Sequence, residues 1–432
     1  MIGVGYVGLV SGAGFAEFGN TVVCADTDSS KIGMLLRGEM PIYEPGLDKL
    51  VSDNVAAGRL SFTTDVRRAI VSSDVIFITV GTPASVHGEA DISAVYAVAR
   101  EIGEVVQNVG QIEKVVVVKS TVPVGTTERV ANILTAYLPG NPPVANNPEF
   151  LREGTAVEDF MRPDRVVIGT MSSAARDSLI RLYRPFTSAG KVMVMDPASS
   201  ELVKYTSNAL LAVRIAFMNE IAVLASAVGA NVNFVREGVG RDSRIGPKYL
   251  YPGPGYGGSC LPKDVSALVA MGDHVGVMMS MAKSAQDSNY RHKRRLVERM
   301  YTHFGELRGK RICIWGLAFK AETDDVRDSP AITLIDGLLD NKALVHAHDP
   351  QATENARAIY GNRIEFHADQ YDALQDSDAL VICTEWREYR SPDLALIRAK
   401  APGLAVFDAR NLWDPCEMLG TDIPYFGMGT TK

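Results

Sequence analysis

The stretch Gly255-Tyr256-Gly257-Gly258-Ser259-Cys260-Leu261-Pro262-Lys263-Asp264 brings together a thiol, a cation, a carboxylate and three glycines. Glycines let a backbone pass close to a ligand and take torsions that other residues avoid. Pro262 suits the first turn of a helix continuing through Val265-Ser266-Ala267-Leu268. Cys260 is then expected at or near a helix N-terminus, where orphan amide groups and the dipole favour an anion. With Lys263 beside it, the thiol should exist partly as thiolate, the nucleophilic form. The plainer reading is a buried structural cysteine next to a flexible loop.

A second chemical signal is Gly3-Val4-Gly5-Tyr6-Val7-Gly8, a G-x-G-x-x-G run. A helix-like run, Leu9 to Phe18, follows it, then Gly19-Asn20 as a stop and the apolar strand Thr21-Val22-Val23-Cys24-Ala25, which ends in Asp26. An acid about 20 residues past such glycines is the ribose ligand of a dinucleotide site. Asp26 would bond the 2′-hydroxyl and repel a 2′-phosphate, which favours NAD over NADP. The strand that should precede the glycines is reduced to Met1-Ile2. Because that strand is central in the 3-2-1-4-5-6 order, a start further upstream is expected.

These groups need elements to hold them. Asp74–Val80 and Val115–Lys119 are continuous apolar strands, as parallel sheets require. They end at Gly81-Thr82-Pro83 and Ser120-Thr121-Val122-Pro123, and ligands of open α/β sheets sit beyond such strand ends. Helices are expected over Ile92–Val106 and from about Thr126. From about Ser199 to Val228 there is neither Gly nor Pro, and Leu210, Val213, Phe217, Ile221, Leu224 and Val228 repeat at helical spacing. Some 30 residues give a helix of ~45 Å, long enough to join two domains and offer a dimer face. Lys204 and Asn208, four apart, project from one side of it. Beyond residue 305, strands at 309–317, 343–350, 379–383 and 404–408 alternate with helices such as Pro330–Leu339. That predicts a second doubly wound domain without the full glycine fingerprint. The fold class is therefore α/β, two Rossmann-like doubly wound domains joined by a long central helix. Expected boundaries are 1–195 for the dinucleotide domain, 196–300 for a central helical dimerisation segment with the cysteine loop, and 305–432 for the second Rossmann-like domain.

With 432 residues, 46% hydrophobic and 22% charged, the chain has an ordinary globular composition. A net charge of −7 argues against nucleic acid or an anionic membrane as the main partner. No uninterrupted apolar run reaches the length of a membrane span, and no signal peptide is read at Met1-Ile2-Gly3. Five cysteines without close pairs argue against a disulfide framework or a cysteine zinc site, and a cytoplasmic setting follows. Cys24, Cys313 and Cys383 read as apolar strand positions, and Cys416 as a turn residue. His346 and His348 alternate on a strand without accompanying ligands in the sequence, so no metal is expected.

The motifs Gly3-x-Gly5-Tyr6-Val7-Gly8, Gly81-Thr82-Pro83, Ser120-Thr121-Val122, Asn147-Pro148-Glu149-Phe150-Leu151, Gly257-Gly258-Ser259-Cys260 with Lys263-Asp264, and Phe319-Lys320 together resemble the UDP-glucose/GDP-mannose dehydrogenase family over essentially the whole chain. The stretch 243–256 is similar to its UDP-glucose branch, whereas Leu261-Pro262 is shared with GDP-mannose enzymes. The resemblance implies a four-electron, NAD-dependent oxidation of UDP-glucose to UDP-glucuronate, with GDP-mannose or a UDP-N-acetylhexosamine as alternative substrates. It implies Cys260 as nucleophile, Lys204 and Asn208 as oxyanion donors, Glu149 as the base in hydrolysis, and Thr121 with Asp264 holding a water. It assigns Glu149, Phe150, Leu151, Glu153, Lys204, Asn208, Tyr249, Gly257, Cys260, Lys320 and Arg410 to the nucleotide sugar, with Arg244 reaching it from a neighbouring subunit of a homodimer. Gly3, Gly5, Tyr6, Val7, Gly8, Asp26, Lys31, Gly81, Thr82, Ser120, Thr121, Glu153, Lys263 and Arg327 would face NAD.

The residue types suit that chemistry. An aldehyde carbon gives up hydride readily only after a nucleophile adds to it, and a thiolate does so as a thiohemiacetal. Each alkoxide needs a cationic or amide donor, and Lys204 with Asn208 offers one of each. Hydrolysing a thioester needs a base such as Glu149. Glu149 could instead be a helix N-terminal charge, and Lys31 a solvated one. A reading of another class is a non-catalytic NAD and nucleotide-sugar sensor with Cys260 as a redox switch.

Overall fold

The computed structural model describes residues 1–85, 88–110, 114–187 and 190–430. The chain divides into two compact units, Met1–Ser207 and Asn208–Lys432, with the boundary inside the helix Pro197–Val228. Most of the segment 196–300 lies in the second unit.

In the first unit, β1 (Val22–Ala25) pairs with β2 (Leu60–Thr63). A five-stranded run follows: β3 (Val75–Ile78), β4 (Val115–Val118), β5 (Val144–Asn146), β6 (Val166–Gly169) and β7 (Val192–Met195). Pairings are parallel except β5 with β6. Between β1 and β3 sits Ile2, bridged in parallel to Ala25 on one side and Ile78 on the other. The strand that the sequence shows as missing is thus present as a single residue. Ile2 N–H donates to Phe77 O at 2.8 Å, Gly3 N–H to Ala25 O at 2.8 Å, and Thr79 N–H to Ile2 O at 2.8 Å. The central position of the 3-2-1-4-5-6 order is filled with its backbone groups paired to both neighbours. Val115–Val118 are all buried, as a strand covered on both faces requires.

The second unit holds an all-parallel six-stranded sheet. Its strands are β8 (Arg311–Trp315), β9 (Leu344–His348), β10 (Glu365–Phe366), β11 (Ala379–Ile382), β12 (Ala405–Asp408) and β13 (Tyr425–Phe426), in the order β10-β9-β8-β11-β12-β13. This is the same winding as the first sheet with a full-length centre. Cys24 and Cys313 lie on strands and Cys383 directly after one, all buried, whereas Cys416 lies in the short helix Pro415–Leu419 rather than a turn.

The helix Pro197–Val228 spans 32 residues. Ala209, Ala212, Ala216, Ala222 and Ala225 are buried, while Leu210, Phe217, Leu224 and Val228 are each more than half exposed. By length and hydropathy it is the one helix among the described residues that could cross a membrane. Its apolar run is nevertheless broken, as the sequence shows, by Arg214, which donates to Gly246 O at 2.9 Å, and by Glu220, which accepts from Ser288 Oγ at 2.6 Å.

Candidate active site

The glycine turn of the first unit is built by contact. A Cβ on Gly8 would lie 1.9 Å from Gly3 O, and one on Gly3 would lie 2.8 Å from the backbone of Thr79, so neither position admits a side chain. Gly5 is the N-cap of the helix Tyr6–Glu17, whose first turn has no side-chain cap. A Cβ there would meet nothing within 4 Å. An open, uncapped helix start fits a pyrophosphate. Asp26 accepts from Val4 N–H at 2.6 Å and from Asp28 N–H at 2.9 Å, which leaves acceptor capacity on a half-buried carboxylate. Beyond β3 and β4, Thr82 Oγ1 donates to Thr121 O at 2.8 Å and Ser120 Oγ to Val80 O at 2.7 Å. Gly81 has open space where a Cβ would stand. Lys31 is half-buried, its ammonium 3.7 Å from Asp28.

The same unit buries an ion pair. Lys204 Nζ donates to Glu149 Oε1 at 2.7 Å, with the two side chains 4% and 6% exposed. The other oxygen of Glu149 accepts from Leu151 N–H at 2.6 Å. Burial alone would push this carboxyl up, but the Lys204 charge and hydrogen bond, the Leu151 amide and the charge of Lys119 together hold it low. Glu149 is therefore an ion-paired loop residue, not a helix N-terminal charge. Lys119, a residue the sequence did not single out, donates to Asn147 Oδ1 at 3.1 Å and to the Tyr183 hydroxyl at 3.2 Å. Burial pushes its amine down to about 8, against the attraction of Glu149. Phe150 stacks under Arg165, whose guanidinium is 3.7 Å from the ring centroid.

Glu44 was likewise not singled out. It accepts from Gly154 N–H at 2.6 Å, from Ala156 N–H at 2.7 Å and from the Tyr6 hydroxyl. It ties the glycine turn to the loop carrying Phe150, Leu151 and Glu153. Its motif, Tyr43-Glu44-Pro45-Gly46, was the available signal.

In the second unit Cys260 is half-buried and N-caps the helix Leu261–His274, with Pro262 in the first turn as expected. Ser259 Oγ lies 3.4 Å from its Sγ. Asp264, 1% exposed, accepts from Asn208 Nδ2 at 2.6 Å and from Lys263 Nζ at 2.5 Å. The glycine loop ahead of the thiol is pinned on several sides. Gly253 N–H donates to Asn219 Oδ1 at 2.9 Å, Tyr256 N–H to Asn289 Oδ1 at 2.9 Å, and Gly258 N–H to Arg327 O at 2.8 Å. Gly258 has φ +84°, and a Cβ there would lie 2.8 Å from the Phe319 ring. A Cβ on Gly257 would lie 2.4 Å from Asp328 O. The loop is thus rigid, not the flexible one of the plainer reading.

Arg410 donates to Cys383 O at 2.8 Å and to Phe319 O at 2.7 Å. Lys320 Nζ is 5.5 Å from the Phe319 ring centroid. Arg327 is clasped by Asp325, and Tyr249 has φ +61°. Arg244 pairs with Asp242 on a side chain 86% exposed.

Three consecutive domains of one family match this chain in order. The NAD binding domain of the UDP-glucose/GDP-mannose dehydrogenase family covers residues 1–187, its central domain 198–291 and its UDP binding domain 313–415. The chain belongs to the UDP-glucose/GDP-mannose dehydrogenase family. Among its relatives is a UDP-glucose 6-dehydrogenase of Rhizobium meliloti (strain 1021), 46% identical over 99% of this chain and 98% of the relative. Another, from Pseudomonas aeruginosa, is 42% identical over 100% and 97%. A solved UDP-glucose dehydrogenase from Pyrobaculum islandicum superposes with a TM-score of 0.92 at 39% identity, covering 100% of this chain and 97% of that one. Within this family the glycine turn, the uncapped helix start and Asp26 belong to the NAD binding domain, and the chain's cofactor is NAD.

Proposed function

We propose that this protein oxidises UDP-glucose at C6 to UDP-glucuronate, transferring four electrons to two molecules of NAD through a covalent adduct on Cys260. The observation that supports this most is the long helix. It carries Lys204 and Asn208 one turn apart, each donating to a buried carboxylate, Glu149 and Asp264 respectively. Asp264 in turn lies in the first turn of the helix that Cys260 caps.

NAD, when bound, accepts a hydride in each of the two oxidation steps. In the first, the C6 alcohol gives its hydroxyl proton to solvent water, loses one hydride and becomes the aldehyde. The Cys260 thiolate then adds to the aldehyde carbon, and the carbonyl oxygen becomes an alkoxide. Lys204 and Asn208 donate hydrogen bonds to that oxygen. Loss of the second hydride restores the carbonyl as a thioester. Glu149, held as a carboxylate, takes a proton from water as its oxygen attacks the thioester, and the C–S bond breaks to return thiolate and sugar acid. Thr121 and Asp264 help to hold this water, and Lys204 moves between its Glu149 pair and the alkoxide. Phe150, Leu151, Glu153, Tyr249, Gly257, Lys320 and Arg410 hold the nucleotide sugar, and Lys31, Lys263 and Arg327 join the NAD contacts.

Incubation with UDP-glucose and NAD is expected to give two NADH per sugar acid, and equal yields would refute the reading. Glu149→Gln should accumulate a Cys260 adduct visible by mass spectrometry of the intact chain. A panel of UDP-glucose, GDP-mannose and UDP-N-acetylhexosamines, with UDP-glucose turned over fastest, tests the substrate. The exposed face of Leu210, Phe217, Leu224 and Val228 supports a homodimer, with Arg244 reaching the neighbouring copy's sugar nucleotide. Sedimentation should give a dimer that Phe217→Glu dissociates. The cytoplasmic setting stays part of this reading, and cell fractionation checks it.

A further inference from the structure

We propose that His346, Glu365 and His367 form a site for a divalent transition-metal ion of the zinc class at the outer edge of the second unit's sheet. Neither histidine belongs to a motif of the dehydrogenase chemistry, and the grouping is invisible in sequence, where the nearby pair is His346 and His348. His348 is instead spent on the Tyr389 hydroxyl, 2.8 Å from its Nδ1.

The fold assembles the three ligands on one face. β10 pairs with β9 in parallel, placing Glu365 opposite His346. His367 follows Glu365 by two residues, and the period of an extended chain returns it to the same side. His346 Nδ1 lies 3.0 Å from His367 Nε2 and 3.4 Å from one oxygen of Glu365. The other oxygen lies 3.5 Å from His367 Nε2. Ligands about 2.0–2.2 Å from zinc at tetrahedral angles stand roughly 3.3–3.6 Å from one another, so the group needs only a small adjustment to close on an ion.

Two imidazoles and a carboxylate are a recurrent zinc donor set that leaves the fourth position to water. Glu365 is 63% exposed and gives a path of entry, while His346 is 5% exposed and fixed in the sheet.

One group opposes the ion. Arg311 Nη2 is 3.2 Å from His346 Nδ1 and competes for the same lone pair. Arg311 is half-buried on β8, and its guanidinium must turn away when metal binds. The structural consequence of binding would be local. β10 is only two residues long, and an ion coordinated from both strands would clip this edge to β9.

The full chain, stripped of metal by chelator and carrying Cys260→Ser and Cys416→Ser so that no accessible thiol competes, is titrated with zinc by calorimetry. A parallel titration with cobalt is read in the visible spectrum. One ion per chain is expected, with the absorption of tetrahedral cobalt. His367→Ala and Glu365→Gln, both at accessible positions, should each weaken zinc by at least about tenfold. Arg311→Met should tighten it. Unchanged zinc affinity and stoichiometry in His367→Ala and Glu365→Gln would overturn the proposal, as would failure of the parent chain to bind at about 0.1 mM zinc.

Discussion

Asp26 in the first unit and Asp349 in the second stand at the same place in the same winding, just past the strand beside the sheet's centre. They are used differently. Asp26 accepts two amide hydrogens, from Val4 and Asp28, and is half-buried. Asp349, 4% exposed, accepts from the amides of Leu317, Ala318, Gln351 and Ala352 and from Trp386 Nε1. A carboxylate offers about four lone-pair positions, so Asp349 is saturated by its own chain while Asp26 keeps room for a ligand. One topology thus yields an acid with acceptor capacity to spare in one unit and a structural clamp in the other. The centres of the two sheets differ in the converse way. The first is one residue, Ile2, and the second is the five-residue β8. Pairing of a few backbone groups on both sides keeps the order even where the strand has almost vanished.

The comparison can be broken by mutation. Asp349→Ala strands several buried donors and should cost about 3–5 kcal/mol in denaturant unfolding. A loss under about 1 kcal/mol would remove the clamp. Lys204→Met, which takes the cation from the buried pair with Glu149, should lower turnover by ~10²–10³-fold. Gly258→Ala drives a methyl into the Phe319 ring at a positive φ and should destabilise by about 1–3 kcal/mol, a penalty that only a close-packed loop carries. Asp26→Asn should raise the KM for NAD by about tenfold, or ~1.4 kcal/mol, with little change in melting. If Asp26→Asn instead melted the protein as Asp349→Ala does, the contrast between the two acids would be lost.

An effect read only against pH concerns Lys119. Burial lowers its amine from 10.5 to about 8, so between these values the unfolded chain binds the proton and the folded one does not. Stability should therefore rise with pH across that window, and Lys119→Met should flatten the rise in unfolding midpoints. The same substitution removes one of the charges holding Glu149 low, so the acid limb of the activity profile should move to higher pH.

Much of the site was legible because it is local. Cys260 as N-cap, Pro262 in the first turn and Asp264 one turn on follow from five consecutive positions and helix geometry. The strand ends at Gly81 and Ser120 follow from apolar runs that stop. Glu149 with Lys204 could be nominated by resemblance, but not paired, because 55 residues separate them. Lys119 and Glu44 escaped because a lysine ending a strand and an acid in a turn look ordinary until their partners are known. The alternation of His346 and His348 gave no hint that Glu365 and His367 stand beside His346, because those two residues lie on and just past another strand.

The amino-acid sequence alone determined the two windings, the glycine turn with its acid, and the thiol at a helix start. Each is written in the torsions and periodicity of neighbouring residues. Only the tertiary structure decided that Ile2 serves as a strand, that Glu149 is held as an anion by Lys204, and that Asp349 is spent while Asp26 is not. Those outcomes depend on which distant groups burial brings within hydrogen-bond reach, and a local pattern carries no record of that.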